Sequence, residues 1–161
     1  MFGKILVAVD RSDMGTHVFE EALALVKAHD AEMMLLHVLF LEDENYSFAS
    51  GHPSANFDPG ALTTVLEGFQ QRWEARENEG LSLLKSFAEQ AEAENVKAEY
   101  SQNLGSPGPT ICSMAKSWDA DLIVMGRRGL SGLRELLMGS VSNYVLHHAT
   151  CSVLAVQPKT K

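Results

Sequence analysis

The chain has 161 residues, 45% of them apolar, with 13 Lys plus Arg against 21 Asp plus Glu for a formal charge of −8. That composition suits one domain with a real core, and no run approaches the roughly 20 apolar residues needed to span a bilayer. The acidity argues against a general nucleic-acid binder, which needs a basic face to displace counterions, so a small anion would have to be held by backbone N–H groups and local cations.

The N-terminus, MFGKILVAVD, runs into an apolar segment without a secretory cleavage pattern, and the expected location is cytoplasmic. Residues 5–9, ILVAV, form a short, nearly all-apolar run, the pattern of a strand covered on both faces. Asp10, Ser12 and Asp13 then offer helix N-cap chemistry. Val18, Ala22, Leu25 and Val26 follow at helical spacing within 13–28. Met33 to Phe40, MMLLHVLF, reads as the second buried strand. Residues 42–60 turn polar, with Gly and Pro, and read as a long flexible loop, either a lid or simply mobile. Residues 61–94 read as a long helix with Phe69, Trp73, Leu84, Phe87 and Ala91 roughly on one face.

Residues 96–102, VKAEYSQ, alternate as a third strand near an edge does. Gly105-Ser106-Pro107 marks a turn, and Pro107 and Pro109 fit the first turn of a helix with Ile111, Met114, Ala115 and Trp118 on its buried stripe. Asp121 to Met125 is the fourth strand. A glycine-rich segment runs from Gly126 to Ser140, a last helix carries Val141, Tyr144, Val145 and His148, and Ser152 to Val156 is the fifth strand. Alternating strands and helices imply an α/β fold with parallel pairing and right-handed crossovers.

The segment after strand four, GRRGLSGLRELLMGSVSN, contains Gly126-x2-Gly129-x9-Gly139-Ser140. Its first glycine ends a buried strand and its last precedes a helix. That is what an anion needs: N–H groups free of Cβ crowding and the positive end of a helix dipole. Ser140 can cap that helix or donate to a phosphate, and Ser142 lies in the same first turn. The plain alternative is that the glycines only make turns and caps. Arg127 and Arg128 are either surface charges or planar donor forks for phosphate. No Gly-Lys-Ser/Thr ends the segment, so it is not a Walker A loop, and it does not follow the first strand as the dinucleotide fingerprint does.

The spacing G-x2-G-x9-G-[ST] resembles the signature of ATP-binding universal stress proteins. ILVAVDRSD, LLHVLF, GSPGPTI and DLIVMGRRGLSGLRELLMGSVSNYVLHHATCSVLAVQ resemble that family across essentially the whole chain, 1–161, as one domain. The resemblance implies an open five-stranded parallel sheet in order 3-2-1-4-5 with helices on both faces. It would put Asp10 beside the nucleotide, Ala8 and Val9 near the base, and Val38 on the adenine wall. Met125 and Gly126 would lie beside ribose and base. Gly129, Gly139, Ser140 and Val141 would meet phosphates through backbone N–H groups. It implies ATP, ADP or AMP as ligand, Mg²⁺ entering if at all through the phosphates, and a homodimer through the edge strand Ser152–Val156. An exposed apolar edge supplies a physical motive for that pairing.

Other candidates are weaker. Cys112 and Cys151 lack metal-ligand spacing and read as buried reduced thiols. His37 lies in a buried strand and reads as a satisfied core residue rather than a ligand. His147 and His148 sit at a helix C-terminus, where a cation suits the dipole. No nucleophile elbow or positioned general base is present. The resemblance, together with the glycine spacing and Asp10, implies a nucleotide-binding regulatory protein in the stress response, with at most slow hydrolysis. The rivals are a nucleotide hydrolase or transferase and a non-binding dimeric interaction protein.

Overall fold

The computed structural model describes residues 1–40, 59–127 and 139–157. Strands and helices alternate along them as β1 (Lys4–Ala8), α1 (Asp13–His29), β2 (Glu32–Leu39), α2 (Pro59–Ala93), β3 (Ala98–Leu104), α3 (Pro107–Trp118), β4 (Leu122–Gly126), α4 (Ser140–His148) and β5 (Ser152–Val156). All neighbouring strands pair in parallel, in the order β3-β2-β1-β4-β5 expected for this sheet.

The strands read as continuous apolar runs because both faces of the sheet are covered. Side chains alternate between two cores. Ile5, Val7, Met33, Leu35 and Val124 face α1 and α2, meeting Val18, Phe19, Leu84, Phe87 and Ala91. Leu6, Leu36, Ile123 and Met125 face α3 and α4, meeting Ile111, Ala115 and Val145. Each fully buried large side chain contributes about 2 kcal/mol over leaving it in water. The Phe19 and Phe87 rings stack at 4.4 Å and lock α1 against α2. At the start of the sheet, the Asp121 carboxylate accepts from the Gly3 and Lys4 N–H groups at 2.8 and 2.9 Å. Those two donors hold its carboxyl below the usual range.

Several boundaries differ from the expectation. Pro59 and Gly60 belong to α2 rather than to a loop, with Pro59 at the helix's first position, where its missing N–H costs nothing. The rest of the expected 42–60 loop lies outside the described residues. The third strand runs over 98–104, two residues later than its alternation suggests. Val96 is instead used by the end of α2. Asn95 turns left-handed at φ 61, and the Val96 N–H closes on the Ala91 carbonyl at 2.9 Å.

The expected apolar stripe of α2 is buried only in its second half. Leu84, Phe87 and Ala91 are in the core, whereas Phe69 is 40% exposed. A helix of 35 residues is about 52 Å long, whereas the 8-residue β2 is about 26 Å, so half of α2 overhangs the sheet. Cys112 and Cys151 are free and half-buried rather than fully buried. Burial raises both thiols above their ordinary pKa, which keeps them protonated. Among the described residues, no helix is long and apolar enough to cross a membrane.

Candidate functional site

The order of the sheet reverses at β1: the chain goes from β1 outward through β2 to β3, then returns to β4 on the other side. Crossover helices leave in opposite directions there, and a crevice opens at the carboxyl ends of β1 and β4. A cleft of about 1000 Å³ occupies that position. Ala8, Val9, Asp10, Val38, Met125, Gly126, Gly139, Ser140, Val141 and Ser142 all line it. Residues more than 100 positions apart in sequence are thus brought to one opening. Arg128 and Gly129 lie outside the described residues. Arg127 is described, and its N–H donates to the Val156 carbonyl at 2.8 Å, so its backbone continues the pairing of β4 with β5.

Three helix N-termini meet the cleft, and their chemistry separates them. The first turn of α1 has its own acids. Asp13 is in it, and Asp10 Oδ1 accepts from the Ser12 N–H at 3.0 Å and from the Ser12 hydroxyl. Ser12 is the N-cap residue, but its hydroxyl is turned to Asp10 and makes no cap bond, contrary to the expected capping role. The first turn of α3 contains Pro107 and Pro109, which have no N–H to offer.

The first turn of α4 has neither acid nor proline. Its first helical bond runs from the Asn143 N–H to the Gly139 carbonyl at 2.9 Å. The N–H groups of Ser140, Val141 and Ser142 therefore have no acceptor within the helix. Of the three ends, α4 is the one suited to an anion. Gly139, not Ser140, is the N-cap; Ser140 is already helical and caps nothing. The Ser142 hydroxyl is not available to a ligand as a donor either. It donates to the Gly126 carbonyl at 3.2 Å, is buried, and ties α4 to the end of β4.

The walls differ in character. Val38 and Met125 give apolar surface, while Arg11 and Arg76 add positive charge at the rim on an otherwise acidic chain. Arg11 pairs with Glu79 of α2. Asp10 is the acid among the described lining residues, and these contain no group of three or more His, Cys, Asp or Glu able to hold a metal. Arg76, Tyr144 and the Ser106–Pro109 turn were not singled out from sequence as part of a site. The turn could have been, because it leaves the carboxyl end of a strand. Arg76 carries no local signal; the overhang of α2 puts it there.

The Universal stress protein family model matches residues 1–157. The chain is 39% identical over 156 residues to the universal stress protein Sll1388 of Synechocystis, covering 97% of this chain and 98% of that one. Among solved structures it resembles the universal stress protein UspA of Lactobacillus plantarum, with a TM-score of 0.72 and 27% identity over 96% of this chain and 97% of that one. It also resembles a universal stress protein family protein of Arabidopsis thaliana with AMP bound, with a TM-score of 0.66 and 25% identity over 98% of this chain and 93% of that one.

Proposed function

This chain belongs to the universal stress protein family, and from that premise we propose that it is an adenine-nucleotide-binding regulatory protein of the ATP-binding subgroup. The observation that carries the reading is the unshared first turn of α4: three N–H donors without helical acceptors, opening on the same cleft as Val38 and Met125. Phosphates would rest on the N–H groups of Ser140, Val141 and Ser142, with Gly139 keeping side-chain bulk away. Gly129 and Arg128, which lie outside the described residues, would by the sequence resemblance complete the phosphate side. The base would lie against Val38, Ala8 and Val9, with Met125 and Gly126 beside base and ribose. The AMP held by the Arabidopsis relative is in line with this ligand class.

Binding, rather than turnover, is the favoured role. Asp10, the acid among the described lining residues, has its Oδ1 engaged by Ser12, which disfavours it as a base for water. Mg²⁺ would enter on the phosphates, because the described residues supply no cage for it. Nucleotide occupancy would be signalled through shape or partner choice in the cytoplasm. The edge strand β5, where Leu154 is 38% exposed, would pair with its copy across a two-fold axis.

Isothermal titration of ligand-stripped protein tests the reading. ATP, ADP or AMP at up to millimolar concentration should give saturable heat. Absence of heat and of mutual competition for all three would overturn it.

A further inference from the structure

His37 lies near the carboxyl end of β2, next to Leu36, whose carbonyl accepts the Val9 N–H at 2.9 Å. It is 7% exposed and lines the cleft. Its Nδ1 is 3.0 Å from Gln102 Oε1. Gln102 Nε2 in turn donates to the Glu77 carbonyl of α2 at 3.0 Å. The second bond decides the first. With the amide nitrogen committed to a carbonyl, the amide oxygen faces the ring. An amide oxygen only accepts, so Nδ1 is the nitrogen that carries the proton.

Neutral imidazole with its proton on Nδ1 has a bare lone pair on Nε2. Burial holds the ring below the ordinary histidine pKa and so keeps it neutral, against the opposing pull of Gln102 and Asp10 and with the help of nearby Arg11. The arrangement is tightly enclosed by α2. A Cβ at Gly80 would come within 2.0 Å of Gln102 Oε1 and 2.6 Å of His37 Nδ1. Among the described residues Nε2 has no hydrogen-bond partner. What remains is a fixed acceptor in a cleft whose α4 side presents backbone N–H donors.

We propose that His37 Nε2 accepts a hydrogen bond from an N–H or O–H donor of the bound nucleoside, making His37 a specificity residue and Gln102 the residue that positions its proton. The proposal rests on the nucleotide reading above. Adenine carries a 6-amino donor where hypoxanthine carries a carbonyl oxygen, and ribose carries hydroxyl donors that the deoxy sugars lack. Those are the two sources of such a donor.

The test is titration of wild type, His37→Phe and Gln102→Met with ATP, inosine triphosphate, 2′-deoxy-ATP and 3′-deoxy-ATP. Wild type should bind ATP about fivefold tighter than the analogue that lacks the donor, the size of one neutral hydrogen bond. Preference over inosine triphosphate assigns the 6-amino group; preference over a deoxy analogue assigns that hydroxyl. His37→Phe should erase the preference. Gln102→Met should erase it too, because Nδ1 loses its acceptor and the proton is free to move to Nε2. The readout is a ratio of affinities within each variant, so partial misfolding leaves it interpretable. Equal affinities of wild type for all four ligands would overturn the proposal, as would an unchanged ratio in His37→Phe. Failure of wild type to bind any of them would overturn the nucleotide reading itself.

Discussion

Gly15→Ala should be among the most damaging single-methyl changes in this chain. Gly15 is the third residue of α1, where the helix leaves the end of β1. A Cβ there would sit 2.0 Å from the Asp10 carbonyl oxygen and 2.9 Å from its carbon. Both are backbone atoms, so no rotamer change relieves the overlap. Either α1 lifts off the sheet or the Asp10 loop moves, and a shift of that kind costs about 3 kcal/mol. For a chain of this size the melting temperature should fall by about 9 °C, and nucleotide affinity should fall with it because Asp10 is displaced. Thermal denaturation followed by circular dichroism checks the first effect. Gly68→Ala is the internal control. Nothing lies within 4 Å of its Cβ, and replacing a mid-helix glycine there should stabilise by about 0.5 to 1 kcal/mol. A Gly15→Ala melting point within a degree of wild type would contradict the close approach.

Gly139→Val should act on the ligand instead. Gly139 has φ −58 and ψ 153, a backbone conformation open to any residue, so the substitution brings no backbone strain. A poorer N-cap costs α4 about 1 kcal/mol. The isopropyl group, however, would stand where, on the proposed reading, phosphate would approach the N–H groups of Ser140 to Ser142. Losing two charge-assisted hydrogen bonds lowers ATP affinity by about 100-fold or more. Titration beside wild type checks this, and wild-type affinity in the variant would remove the first turn of α4 from the site. The contrast is diagnostic: Gly15→Ala damages fold and binding together, Gly139→Val binding far more than fold.

The parts of the molecule legible in sequence are those written locally. ILVAV, MMLLHVLF and DLIVM announce buried parallel strands because both faces need apolar side chains. Their alternation with helices, joined to the family resemblance, leads to the sheet order and hence to the crevice between β1 and β4. The glycine spacing marks the start of α4. What was not legible depends on contacts between distant residues. Nothing near Gly15 in sequence shows that it packs on a backbone carbonyl. Ser142 lies in the first turn beside the expected phosphate site, and nothing local shows that its hydroxyl donates to the Gly126 carbonyl, 16 residues back. His37 read as a satisfied core residue, and half of that holds. Its Nδ1 is satisfied by Gln102, 65 residues away, but no partner for its Nε2 is found among the described residues. The ends of α1 and α2 fall within one residue of the sequence reading, although Asp30 and Asn95, like Asp119 after α3, take the left-handed conformation where glycine is the usual signal. Phe69 and Trp73 obeyed the helical period of α2, yet a period cannot say where the sheet beneath a helix stops.

The central claim is that an adenine nucleotide occupies the crevice between β1 and β4 with its phosphates on α4. The most direct measurement is a two-dimensional 15N–1H NMR titration of the protein with ATP. The largest amide shifts should fall on Asp10, Val38, Gly126 and Gly139 to Ser142, while Asp30, Asn95 and Asp119, at the opposite ends of the strands, stay in place. Shifts clustered at those distant residues, or a saturating ligand that leaves the amides of Gly139 to Ser142 unmoved, would contradict it.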